Sequence, residues 1–109
     1  MSSFEKREKG FENKFAHDEE MKFKVTARRN KLLGLWAAAK MGLGGDAAQA
    51  YAREIVKADL QESGDEDVFR KLRGDFDSKG AAVSDHQIRR EMEEQMKIAM
   101  QQLVDEAKK

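Results

Sequence analysis

Residues 84–103 read SDHQIRREMEEQMKIAMQQL, and they carry both a helix start and a helix face. Ser84 and Gln87 have capping-box spacing: the serine hydroxyl can accept the N–H of the residue three positions on, and the glutamine can reach back to the serine N–H. Behind this start Ile88, Met92, Met96, Ala99 and Leu103 recur every three or four residues, the mark of an amphipathic helix. Reading outward, Gly80 stops a preceding helix whose Phe69, Leu72 and Phe76 fall at i, i+3 and i+7, and Ser63 with Glu66 repeats the capping-box spacing at its start. Earlier still, Asp46 is the expected cap of a helix that carries Tyr51, Ile55 and Ala58 on one face and ends near Gln61. The first helix is expected from about Phe4 to Met41. Gly42, Leu43, Gly44 and Gly45 then provide the left-handed conformation that closes it. With no proline and no strand-like alternation, the chain is expected to be all-α: a small four-helix bundle with a long first helix whose N-terminal part is a flexible arm.

A chain of 109 residues fits one domain. Charged residues make up 39% of it, against roughly 25% in an average globular protein, so wide solvated helix faces are expected. Lys plus Arg and Asp plus Glu balance at 21 each, which removes the global field that nucleic acid or an anionic membrane would need. There is no cysteine, which excludes disulfides, thiol nucleophiles and thiolate metal sites and fits a reducing compartment. No apolar run approaches the roughly 20 residues of a membrane span, and the opening MSSFEKREKG lacks the apolar core of a secretory signal. A cytosolic chain, monomeric when free and with no membrane insertion of its own, is the expectation.

The long first helix divides into two segments. On a helical wheel Phe4, Phe11 and Phe15 fall within an arc of about 40°, while Met21, Val25, Leu32, Trp36 and Ala39 cluster roughly 80° away. One straight helix would present these stripes to different neighbours. Gly10 weakens the first segment by about 1 kcal/mol relative to alanine. Residues 1–18 are therefore expected to form an arm that orders when its phenylalanines enter a partner's groove, with residues 19–109 as the anchoring bundle. The alternative is that Phe11 and Phe15 fold back onto the bundle.

Charge is patterned along the chain. Between Glu20 and Asp46 there is no acid, but Lys22, Lys24, Arg28, Arg29, Lys31 and Lys40 are basic. Residues 59–77 tip the other way, through Asp59, Glu62, Asp65, Glu66, Asp67, Asp75 and Asp77. The two stretches are candidates to face each other. Helix dipoles and the i,i+4 pairs Asp18 with Lys22 and Glu20 with Lys24 account for part of the pattern. A sharper reading makes Arg28, Arg29 and Lys31 an anion site, with Trp36 beside them to hold an adenine nucleotide weakly. A small helical regulator that binds adenine nucleotide or a protein partner is thus the alternative function.

Other constellations fall short of catalytic or metal chemistry. Ser84, Asp85 and His86 are the residue types of a triad, but consecutive positions at a helix start diverge. Asp75, Asp77, Lys79 and Gly80 suggest a calcium loop, yet Lys79 takes a ligand position and His86 stands where a glutamate is needed. Gly42 to Gly45 lacks the lysine and hydroxyl residue of a phosphate-binding loop. His17 and His86 have no partner at metal-ligand spacing, and Met92, Met96 and Met100 have the spacing of a helical core. No enzyme is expected, and no cofactor beyond the weak nucleotide alternative.

Phe4 to Asp18 (FEKREKGFENKFAHD), Ala27 to Ala38 (ARRNKLLGLWAA) and Gly64 to Phe69 (GDEDVF), with Tyr51 and Asp59, resemble the zeta-type ATPase inhibitor subunit of alphaproteobacteria. The resemblance implies a four-helix protein bound to the catalytic head and central stalk of an F-type ATP synthase, where its N-terminal region blocks ATP hydrolysis. It places the inhibitory contacts on Phe4, Arg7, Phe11, Lys14, Phe15, Ala16, His17 and Asp18. It also implies a bacterial cytoplasmic location, at the cytoplasmic face of the inner membrane when the protein is bound.

Overall fold

Two glycines close helices in the computed structural model, which describes residues 19–61 and 65–108. Helix α1 spans Glu19–Lys40, α2 Gly45–Gln61, α3 Asp65–Lys79 and α4 Asp85–Ala107. Gly42 takes φ +76° after α1, and the chain folds back so that Leu43 N–H bonds to the Ala38 carbonyl at 2.8 Å. Gly80 does the same after α3 with φ +67°, and Ala81 N–H reaches the Phe76 carbonyl at 2.9 Å. Both are glycine-centred C-terminal caps, where a side chain would be strained. The Ser84 capping box is present: Gln87 N–H donates to Ser84 Oγ at 3.1 Å and Ser84 N–H to Gln87 Oε1 at 2.9 Å.

One boundary differs in detail from expectation. Asp46 does not cap α2, because the helix already includes Gly45; its carboxylate sits in the first turn, where the helix dipole favours an acid. Ser63 and residues 1–18, including the proposed start at Phe4, lie outside the described residues.

The four helices form a ring, in which α1 packs on α2, α2 on α3, α3 on α4, and α4 returns to α1. Leu33, Ala37, Tyr51, Ile55, Val68, Leu72, Phe76, Ile88 and Met92 meet at its centre. Phe76 is fully buried, and Trp36 lies edge-on to it with ring centroids 5.7 Å apart and planes at 88°. The core stripes expected on α2, α3 and α4 are largely those observed, with Phe69, Met96 and Leu103 half-buried.

The stripe on α1 is displaced. Its buried residues are Val25, Arg29, Asn30, Leu33, Gly34, Ala37 and Ala38, whereas Leu32 is half-buried and Ala39 exposed. An α1 wedged between α2 and α4 must bury two adjoining faces, and the second admits small and polar residues that an apolar pattern overlooks. Among the described residues, no helix is long and apolar enough to cross a membrane.

Candidate functional site

The N-terminal half of α1, which receives the chain from residues 1–18, is held by polar contacts. The Arg28 guanidinium donates to both carboxylate oxygens of Glu106, at 2.6 and 3.0 Å, and to Gln102 Oε1 at 2.8 Å. The hydrogen bonds that the guanidinium donates to Glu106 hold Arg28 above its ordinary pKa. Such a two-pronged pair fixes orientation as well as charge, and here it clamps the start of α1 to the end of α4.

Arg29 is a different case, only 1% exposed. Its Nε donates to Asn30 Oδ1 at 2.7 Å and a terminal nitrogen to Asp65 Oδ1 at 2.8 Å. Asn30 Nδ2 in turn donates to Asp59 Oδ2 at 2.9 Å. This chain of bonds joins α1 to the end of α2 and the start of α3. It leaves no buried side-chain nitrogen or oxygen without a partner among the described residues, as burial of a guanidinium demands. The basic and acidic stretches therefore do meet through Arg29 and Asp65, while Arg28 turns to α4.

The residues proposed for a nucleotide are thus dispersed in their contacts. Arg28 and Arg29 are engaged by carboxylates on different helices, Lys31 is exposed, and Trp36 packs against Phe76. The expected arm contacts Phe4, Arg7, Phe11, Lys14, Phe15, Ala16, His17 and Asp18 lie outside the described residues. Glu20 and Lys24 stand 3.7 Å apart as the helical pair the spacing suggests.

A second polar knot lies on the α2–α3 side. The buried Tyr51 hydroxyl donates to Asp75 Oδ2 at 2.7 Å, and Lys71 Nζ donates to the same oxygen at 3.0 Å. Burial first, and then the bond to Asp75, push the Tyr51 phenol well above its ordinary pKa. Further round, Arg89 stacks 3.9 Å over the Phe69 ring and reaches Glu66 at 2.9 Å, which lowers the Glu66 pKa. Among the described residues, no three His, Asp or Glu side chains group as a metal site.

Two features, one on the surface and one in the interior, do not follow from the apolar pattern. Phe23 is 58% exposed, and it lines an open trough of about 540 Å³ with Lys24, Ala27, Arg28, Lys31, Val56, Leu103 and Glu106. Phe23 lies off the Met21–Val25 stripe, and that displacement was the available signal. The burial of Arg29 was the other; its place four residues from both Val25 and Leu33 marked it as part of a ladder facing the interior.

Comparison with known proteins now bears on this arrangement. The family model for ATPase inhibitor subunit zeta matches residues 1–102. The chain belongs to that family. Membership of the zeta family supports a role as an ATP synthase inhibitor, a regulatory role with the ATP synthase as partner. A structure solved by solution NMR is 51% identical, spans 79% of this chain and 98% of its own, and superposes with a TM-score of 0.71. No curated protein matches the chain.

Proposed function

We propose that this chain blocks ATP hydrolysis by inserting residues 1–18 into the catalytic head of a bacterial ATP synthase, close to the central stalk, while residues 19–109 anchor it. What supports this reading is that the zeta family match begins at residue 1 and runs through the bundle, taking in both the phenylalanine stripe and the helices behind it. On this reading Phe4, Phe11 and Phe15 become ordered as a helix in a cleft between head subunits, and the wedge opposes rotation in the hydrolytic direction. Burying one phenylalanine contributes about 1.5 to 3 kcal/mol, so three can offset much of the ordering of a short segment. Arg7, Lys14, Ala16, His17 and Asp18 complete the contact surface. The protein acts as a monomer, at the cytoplasmic face of the inner membrane.

The test is ATP hydrolysis by purified catalytic head, titrated with the full chain and with Phe11→Ala/Phe15→Ala in the full chain. The double variant should need at least about tenfold more protein for half-inhibition, with helix content and melting temperature unchanged. Inhibition as strong as wild type would remove the aromatic wedge from the mechanism.

A further inference from the structure

The outer face where α1, α2 and the end of α4 meet carries a surface that the core does not explain. Phe23 is 58% exposed there, flanked by the half-buried Val56 and Leu103. The trough they line shares Lys31 and Val56 with a second depression of about 320 Å³ that continues along α2 to Arg53. An exposed aromatic set among aliphatics in a continuous groove is how an interaction surface presents itself.

Its rim is one-sided in charge. The carboxylate on it, Glu106, is matched by the Arg28 guanidinium, and Glu20 reaches Lys24 only at 3.7 Å across solvent. Lys31 and Arg53 meet no carboxylate among the described residues. The apolar floor therefore sits inside a surplus of positive charge carried by Lys31 and Arg53, Lys24 being matched by Glu20. From Phe23 to Lys31 the groove follows α1 for about 12 Å, the length of roughly two helical turns.

We infer that this trough docks an acidic amphipathic helix of the synthase, whose apolar side covers Phe23, Val56 and Leu103 and whose carboxylates face Lys31 and Arg53. The inference rests on the inhibitor reading above and supplies the anchor that it requires. Charge decides between occupants. Residues 1–18 balance Glu5, Glu8, Glu12 and Asp18 against Lys6, Arg7, Lys9 and Lys14, so they bring no net complement to a basic rim. A second copy seated symmetrically would set one basic rim against another.

The experiment measures binding of the full chain to purified catalytic head at low and high salt, alongside half-inhibitory concentration. Lys31→Glu/Arg53→Glu should weaken binding about tenfold and flatten its salt dependence, and Phe23→Ser should weaken it at least about fivefold. Arg90→Glu, an exposed charge outside the trough, should bind as wild type. Wild-type affinity in both trough variants, with wild type still inhibiting, overturns the docking surface and leaves the inhibitor reading intact. Wild type that binds through the trough without inhibiting does the reverse. In the free protein, two results assign the trough elsewhere and overturn the inference: a dimer abolished by Phe23→Ser, or a fluorine-labelled Phe23 signal displaced by Phe15→Ala.

Discussion

Gly34 and Gly74 are both helical glycines, and the structure predicts opposite outcomes when each becomes alanine. At Gly34 an added Cβ would lie 2.6 Å from the Cα of Ala52 and 3.2 Å from both Ala52 Cβ and Ile55 Cγ1. Carbon atoms in ordinary contact stand about 3.5 to 4.0 Å apart, so α1 and α2 must separate by roughly 1 Å. The nearest atom belongs to backbone and cannot rotate away. At Gly74 nothing lies within 4 Å, and neither glycine has a positive φ. Both substitutions gain helix propensity of about 1 kcal/mol. Only Gly34→Ala also incurs overpacking of about 1 to 3 kcal/mol and loosens the contact around Leu33 and Ile55. The expected result is a net loss of up to about 2 kcal/mol for Gly34→Ala and a gain of about 0.5 to 1 kcal/mol for Gly74→Ala. Urea unfolding followed by far-ultraviolet circular dichroism measures both, and each kcal/mol should move the melting point by about 4 to 8 °C. Should Gly34→Ala prove as stable as Gly74→Ala, the close helix crossing at Ala52 is not the constraint argued here.

Two further outcomes follow from the polar contacts. Removing Asp65 strands the Arg29 guanidinium, which is 1% exposed, whereas removing Arg29 leaves an aspartate whose side chain is 59% exposed and can rehydrate. Asp65→Ala should therefore cost about 3 kcal/mol and Arg29→Met only about 1 to 2 kcal/mol, an order that denaturant unfolding checks and that equal losses would contradict. Tyr51 is the sole tyrosine, so alkaline absorbance titration reads it alone. Its folded pKa is raised above the ordinary 10.0, so its contribution to stability is complete below that value and is lost as pH rises toward the folded pKa. Phenolate should appear only together with unfolding, and a reversible titration near pH 10 in the intact fold would refute the buried bond to Asp75.

The legible parts of this fold were those written in local chemistry. Gly42, Gly80 and the Ser84–Gln87 box act within a few residues of themselves, so their signals are complete in the sequence. The stripes of α2, α3 and α4 were legible for a related reason, since each of these helices carries its buried apolar residues at regular helical spacing. The α1 stripe was not, because Arg29 and Asn30 become interior only when Asp65 and Asp59 arrive from other helices. For Phe23 the signal was its place off the Met21–Val25 stripe, which predicts exposure but not the trough around it. The family match reaches residues 1–18, on which the proposed inhibitory contacts fall, whereas the described geometry begins at Glu19.

A wedge holds a rotor only if the load on it is carried into something stiff. If residues 1–18 act as proposed, force enters the bundle at Glu19, and the first buried apolar residue it meets is Val25. Arg28 follows, tied to Glu106 and Gln102 on α4, and then Arg29, tied to Asp65 on α3. Two consecutive residues thus pass the load to two different helices within one step of the chain. The order of these contacts also gives arginine at these positions a role that lysine could not fill. Lysine would supply the charge without the two-pronged geometry, so the end of α4 and the start of α3 would be joined to α1 by attraction but not held in register.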